Sequence, residues 1–429
     1  MKVLQDLVAR HTRGEATGIW SLCSAHPEVI ESAMREAGEA GTALLVEATS
    51  NQVNQFGGYT GMRPADFVRF LHGIAGRARF PADRIWIGGD HIGPNAWKDE
   101  PAAAAMAKAG ELVRGYVTAG FRKMHLDCSM ACSGDAAALA EELVAARAAD
   151  LAVAAEEASR LAAGEPPVYV IGTEVPTPGG AQEDLSTLAV TTPAAAAATL
   201  EAHRAAFVRA GLEEAWPRVI ALVVQPGVEF DHHKVIAYRP EQAKSLSEFI
   251  GGQSQVVCEA HSTDYQPPGA LRALVRDHFA ILKVGPGATF ALREALWGLA
   301  AIEQALHGDD GEPDLRKAVV ATMRADPQHW RGYYREGPRL DFDLQYSLSD
   351  RIRYYWPYPE VQRAVARMRQ RLDRQPIPMT LLSQFLPRQH DAVREGRIPN
   401  ETAAILREGV AAALRPYFAA CIATPAVTP

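Results

Sequence analysis

Two short stretches bring imidazole and carboxylate side chains together. Asp90 and His91 are adjacent in GGDHIGP (88–94), and Glu259 and His261 alternate in EAHSTD (259–264). Alternate residues of an extended chain face the same side, so Glu259 and His261 point together. Imidazole and carboxylate in such proximity suit two tasks, holding a divalent cation and moving a proton. His91, His261 and one further donor would make a three-ligand catalytic site with an open position. Glu229 or His232 in VEFDHH (228–233), or a carboxylate at another strand end, is the expected third donor, although His232 and His233 read more readily as a solvated loop. Asp127 in HLDCS and Glu174 in GTEVPTPGG add carboxylates of the kind that accept and return a proton. The glycines around Asp90 let backbone approach a ligand closely.

Another set of residues suits an anionic, hydroxylated ligand. Lys283 precedes VGPGAT (284–289), where Gly285, Gly287 and Thr289 open a helix whose amides suit a phosphate. NQVNQFGGYTG (51–61) is amide-rich, and Asn51, Gln52, Asn54 and Gln55 suit a polyhydroxylated ligand. Arg351 and Arg353 read either as a cap over an anionic substrate or as salt-bridge partners in a helical layer. Cys128 and Cys132 read as packing.

These residues stand at the ends of apolar segments. GIWSLCSAH (18–26), TALLVEATSNQ (42–52), RIWIGGDHIGP (84–94), KMHLDCSM (123–130), PVYVIGTEVPTPGG (167–180), RVIALVVQPGVEF (218–230), QVVCEAHSTD (255–264) and HFAILKVGPGA (278–288) each carry a near-continuous apolar run. Such runs mark strands buried on both faces of a parallel sheet. Helix-forming stretches separate them, including the Ala-rich 101–120 and 135–163. Eight strand–helix units predict an α/β fold, a (β/α)8 TIM barrel, with a doubly wound open sheet as the competing architecture. The barrel explains why Glu47, Asp90, His91, Asp127, Glu174, Gln225, Glu259, His261 and Lys283 all fall at C-terminal strand ends. After Ala300 only helical patterns with aromatic joints remain, so residues 1–300 read as barrel and 301–429 as a helical extension packed on it.

Composition narrows the class. The 429 residues carry 44 Lys+Arg against 51 Asp+Glu, a net charge of −7, with 48% hydrophobic residues. Disorder and a small disulfide scaffold are excluded, and the mild acidity argues against a nucleic-acid partner. No apolar run reaches the roughly 18 residues of a membrane span. The first residues lack a signal-peptide core, and five cysteines form no CxxC pair, which together predict a cytoplasmic protein. Phosphate-loop, GxGxxG and GxSxG motifs are absent.

SLCSAHP, EATSNQVNQFGGYTGM, GGDHIGPNAW, HLDCSM, GTEVPTPGG, VVQPGVEFDH, EAHSTDYQ, HFAILKVGP and YSLSDRIRYYWP strongly resemble one family. It is the non-catalytic subunit family of class II tagatose-1,6-bisphosphate aldolase, some members of which are named tagatose-6-phosphate kinases. The resemblance spans nearly the whole chain and implies a TIM barrel distantly related to the catalytic class II aldolases. Asp90-His91-Ile-Gly is similar to the aldolase Asp-His-Gly motif, which implies a catalytic Asp90 and a metal-binding His91. Glu174-Val-Pro-Thr-Pro-Gly-Gly, His261-Ser-Thr and Lys283-Val-Gly are similar to further aldolase strand ends. One zinc histidine has no counterpart, because the matching strand reads Gln225-Pro-Gly-Val-Glu229.

The resemblance also implies an activity, since some family members are described as C4 epimerases of ketohexose 6-phosphates. C4 of a 2-ketose lies β to the carbonyl, so enolisation does not acidify its proton. Breaking C3–C4 by a retro-aldol step, turning the aldehyde and re-adding it inverts that carbon. The implied cofactor is a divalent Zn, Mn or Mg ion as Lewis acid. Asp90, Glu174 and Asp127 become candidate catalytic groups. Glu47, Asn51, Gln52, Gln225, Glu259, Lys283, Gly285 and Arg353 become candidate contacts for the phosphorylated ketohexose. The alternative is a non-catalytic stabilising subunit of class II tagatose-1,6-bisphosphate aldolase, and a third possibility is an aldolase active alone. The implied protein partner is a second copy of the chain or a catalytic aldolase subunit.

Overall fold

The computed structural model describes the chain except residues 1, 174–180, 182–187, 309–310 and 423–429. Its strands are β1 (Ile19–Leu22), β2 (Leu44–Thr49), β3 (Ile85–Ile92), β4 (Lys123–Leu126), β5 (Val168–Ile171), β6 (Val219–Val224), β7 (Glu229–Phe230), β8 (Val235–Ile236), β9 (Val257–Ala260) and β10 (Ile281–Val284). Eight of them close a barrel in the order β1-β2-β3-β4-β5-β6-β9-β10, every pair parallel, with Ile19 opposite Ile281 at the closure. The remaining two, β7 and β8, form an antiparallel hairpin inserted after β6. All eight strands expected from apolar runs are present, and the fold is a TIM barrel.

The two ends of the barrel are finished differently. Leu4, Leu7 and Val8 of the helix Lys2–Thr12 cluster with Val168, Val257 and Ile281, the first residues of β5, β9 and β10, so an apolar plug closes the N-terminal end. At the C-terminal end, polar groups replace the apolar core. Beyond residue 300 the described residues contain helices and no strand. The last helix, Thr402–Cys421, returns to the barrel wall. Its Phe418 lies edge-on to Trp20 of β1 at 4.7 Å, and Cys421 carbonyl accepts the Gly18 N–H at 3.1 Å. The segments Pro327–His329 and Arg351–Tyr354 lie over the mouth, where Tyr354 meets Tyr59 at 4.6 Å and Leu348 carbonyl accepts the Tyr265 hydroxyl. No helix among the described residues is long and apolar enough to cross a membrane.

Candidate functional site

The Asp90–His91 pair depends on a break in strand regularity. Neighbouring residues of a regular strand point to opposite faces. Here the β3–β4 register shifts between Gly89 and Ile92, and His91 adopts φ +48°. An irregularity of this kind re-aims side chains, and both Asp90 and His91 consequently line one cavity. The flanking glycines serve the protein rather than a ligand, contrary to the sequence expectation. A Cβ on Gly88 would stand 2.7 Å from Glu47 Oε1, one on Gly89 2.8 Å from the Tyr116 ring, and one on Gly93 1.7 Å from the Asp127 carbonyl.

Three imidazoles meet at this floor. Ring centroids are 5.1 Å apart for His91–His125, 4.8 Å for His91–His261 and 5.0 Å for His125–His261. Each ring has one nitrogen on a carboxylate: His91 Nδ1 on Asp127 at 2.7 Å, His125 Nδ1 on Asp90 at 3.0 Å, and His261 Nε2 on Glu259 at 3.0 Å. One ligand atom from each of Asp90, His91, His125 and His261 lies within 4.8 Å of the others. His125 Nε2 is buried with no hydrogen-bond partner among the described residues. An orphaned buried nitrogen beside two like donors, each ring oriented by a carboxylate, fits a divalent cation.

The structure groups His125, which the sequence reading did not name, with His91 and His261, and places neither Glu229 nor His232 in that group. Both His232 nitrogens are engaged elsewhere, with Ser349 Oγ and the Tyr333 carbonyl, each at 2.9 Å. Glu229 Oε1 accepts the Phe230 N–H at 2.9 Å, and burial raises its carboxyl to about 7.

Electrostatics follow the pairings. Burial pushes the Asp90 carboxyl up, but His91, His125 and His261 outweigh it and hold Asp90 well below the usual range. Burial also disfavours the charged form of His91, and Asp90 and Asp127 reverse this, raising the imidazole to about 9. Asp127 is held low by its bond from His91 despite burial. These carboxylates are acceptors first.

One layer deeper lies a charge network with no exposed member. Lys123 Nζ sits 2.6 Å from both Glu47 Oε1 and Glu259 Oε2, and all three side chains are 0% exposed. Lys283 Nζ contacts Glu47 and lies 2.9 Å from Asp90 Oδ1. Glu47 and Glu259, expected at the substrate, instead brace the lysines and His261 from below. Lys283 does line the cavity, and burial lowers its ammonium to about 8. It faces the floor carboxylates, not the glycine turn expected to share a phosphate with it.

That turn is already filled. Asp264 Oδ1 accepts the Gly285 and Gly287 amides at 2.9 and 2.7 Å, which removes Gly285 as an anion donor. Gln225 closes its own turn, accepting Gly227 and Val228 N–H at 2.9 and 3.0 Å. Gln52 accepts the Thr49 N–H, Asn54 binds Ser50, Phe56 and Gly58 backbone, and Gln55 donates to the Lys108 carbonyl. Asn51 alone of these amides is exposed toward the cavity, although Gln52 and Asn54 also border it. Arg353 donates from Nη1 to the Ser349 and Asp350 carbonyls and from Nη2 to the Tyr354 hydroxyl. Cys23, absent from the expected set, has Sγ 3.3 Å from Asp90 Oδ2, and burial raises its thiol. All five cysteines are free. Glu174 lies outside the described residues.

The cavity measures about 830 Å³ and runs from Asp90, His91 and His261 at the floor to Arg351, Arg353 and Tyr354 at the roof. A parallel (β/α)8 barrel with titratable groups gathered at its C-terminal strand ends defines a class in which that end carries the functional site. Within it, the chain belongs to the D-tagatose-1,6-bisphosphate aldolase subunit GatZ/KbaZ-like family, whose model matches residues 4–422. It is similar to a probable tagatose 6 phosphate kinase from Sinorhizobium meliloti 1021, at 49% identity and TM-score 0.87 over 94% of this chain and 100% of that one. Two further solved structures are distant. The fructose-bisphosphate aldolase of Campylobacter jejuni is 12% identical with TM-score 0.45, covering 86% of this chain and 91% of that one. The YdjI aldolase of Escherichia coli K12 is 12% identical with TM-score 0.40, covering 85% and 93%.

Proposed function

We propose that the chain is a metal-dependent isomerase that inverts C4 of ketohexose 6-phosphates, interconverting D-tagatose 6-phosphate and D-fructose 6-phosphate by retro-aldol and aldol steps. The observation carrying this reading is the trio of carboxylate-braced imidazoles at the floor of the cavity. His91, His125 and His261 would hold a Zn, Mn or Mg ion, which supplies positive charge for the oxygens of the ketose when bound. Asp127 and Glu259 fix the orientation of His91 and His261.

Asp90 faces the cavity ionised, suited to accept the C4 hydroxyl proton as the C3–C4 bond breaks. Lys283, 2.9 Å away with a proton affinity near 8, shares that proton and returns it as the bond reforms on the other face. The roof arginines and the enclosing loops keep the aldehyde fragment in the cavity while it turns.

A second reading is favoured by the family description, which names an aldolase subunit: a non-catalytic chain that stabilises a catalytic partner. NMR of tagatose 6-phosphate with the protein loaded with Mg, Mn or Zn, and again with a chelator, separates the readings. Chelator-sensitive conversion to fructose 6-phosphate is the expected result. Release of free trioses would make the chain an aldolase. No turnover, together with a longer half-life of a separate aldolase, would establish the subunit. His125→Ala is expected to abolish bound metal by elemental analysis, and an unchanged metal content would refute the ligand set.

A further inference from the structure

The cavity has two chemically opposite ends. Its floor gathers Asp90, Asp127, Glu47 and Glu259 around the histidines. Its roof presents Arg351 and Arg353 from the segment Arg351–Tyr354. At the floor Lys123 and Lys283 are already paired with these carboxylates, whereas at the roof Arg351 has no carboxylate partner among the described residues, so an anion is drawn to the roof.

Arg351 is held in an unusual way. Its guanidinium lies 3.7 Å from the centroid of the Tyr333 ring and 4.4 Å from that of Tyr354, and Nε donates to the His329 carbonyl at 2.6 Å. The residue is 6% exposed, yet Nη1 is buried with no hydrogen-bond partner among the described residues. Ring faces fix the plane of a guanidinium while leaving its edge donors available for a planar or tetrahedral oxyanion. Leaving a buried charged donor unpaired is unfavourable, so the free state retains an unfilled need for an acceptor. Arg353 is held differently, with Nη1 donating to the Ser349 and Asp350 carbonyls and Nη2 to the Tyr354 hydroxyl.

The competing anion site is closed. Asp264 Oδ1 takes both amides of the glycine turn after β10, and a Cβ on Gly287 would stand 3.0 Å from that oxygen. A phosphate there would have to displace an internal carboxylate.

We propose that Arg351 is the phosphate-binding residue of the cavity, taking the phosphate of a phosphorylated sugar through Nη1, and that Asp264 denies the phosphate the glycine turn. The assignment rests on the sugar-phosphate reading for its ligand class. It orients the sugar with its phosphate at the roof and its carbonyl end at the histidines. Arg351 and Asp264 become the residues that decide phosphorylated against unphosphorylated ketose.

Titration calorimetry of the full chain with inorganic phosphate tests this without turnover. Wild-type protein is expected to bind, Arg351→Met to bind about tenfold or more weakly, and Arg351→Lys to retain part of the affinity. Metal content is expected to be unchanged in both variants. Because Arg351 is part of the roof packing, wild-type crystals soaked in inorganic phosphate give an independent answer. Phosphate on Arg351 Nη1 supports the assignment. Phosphate on the Gly285 and Gly287 amides, wild-type affinity in Arg351→Met, or no binding by wild-type protein at millimolar phosphate overturns it. A chain that binds phosphate through Arg351 but leaves tagatose 6-phosphate unchanged refutes the isomerase reading alone. Turnover with an unaltered KM in Arg351→Met refutes the phosphate assignment alone.

Discussion

The floor and the roof of the cavity both bury cations, but they compensate them by opposite means. At the floor Lys123 meets two carboxylates at 2.6 Å, and every imidazole leans on an acid. At the roof, among the described residues, Arg351 has no carboxylate within ion-pair distance and lies between two tyrosine rings. Charge paired with charge makes a rigid support whose remaining lone pairs suit a cation. Charge held by ring faces and carbonyls stays electrostatically unspent and suits an anion. If both proposed ligands bind, the means of compensation selects the sign of the ligand within one barrel mouth.

The largest expected effect strikes the floor. Lys123→Met removes the ammonium that lies 2.6 Å from both Glu47 and Glu259, and leaves the two buried carboxylates with Lys283 as their remaining shared cation. Breaking such a pair typically costs about 3–5 kcal/mol, read as a fall in denaturant midpoint at unchanged slope. Stability equal to wild type would show that the floor is not a charge-paired support.

Glu229, on the hairpin between floor and roof, gives the next effect and a pH signature. Burial raises its carboxyl from 4.5 to about 7, so the folded state binds this proton more tightly than the unfolded state. Between pH 4.5 and 7 the unfolded chain releases its proton first, and this contribution to stability is lost as pH rises. The loss amounts to about 3 kcal/mol, and Glu229→Gln is expected to flatten the dependence in that window. Parallel pH profiles for variant and wild type would count against a buried, proton-holding Glu229.

How much of this comparison was legible in the sequence differs between the two ends. Strands buried on both faces read as apolar runs, so all eight barrel strands and the polar groups at their ends were visible. His125 is hidden inside KMHL, because only the residues at strand ends are singled out by the sequence pattern. Yet it lies two residues before Asp127, and period-two alternation puts Lys123, His125 and Asp127 on one face. Depth was invisible: nothing local distinguishes Glu47, one layer down, from Asp90 at the surface of the cavity. The roof was the least legible part. The clamp on Arg351 depends on Tyr333, and the filling of the glycine turn depends on Asp264, 21 residues away. His232 likewise reads as a loop ligand until its partner Ser349, 117 residues distant, is in place. Such contacts leave no periodic trace.

Smaller effects sharpen the division between the ends. Asp127→Asn keeps the shape but weakens the acceptor that orients His91. Metal affinity is expected to fall about 10–100-fold with little change in fold stability. Fluorescent-indicator competition measures this, and undiminished affinity would make Asp127 a bystander to the cluster.

The smallest expected effect belongs to the roof. Tyr354→Phe removes the hydroxyl that accepts from Arg353 Nη2 at 3.1 Å but keeps the ring that faces Arg351, stacks on His329 at 4.8 Å and meets Tyr59. Arg353 retains its two carbonyl acceptors, so the loss is one hydrogen bond, about 1 kcal/mol of stability. If the roof works through ring faces, phosphate binding and metal content both survive this change, whereas Tyr354→Ala weakens phosphate binding by freeing the guanidinium plane. Calorimetry on the two variants decides it. Equal phosphate affinity in Tyr354→Phe and Tyr354→Ala would mean that stacking does not hold Arg351. A change of metal content in either variant would mean that roof and floor are mechanically coupled, although the floor's charges are paired among themselves.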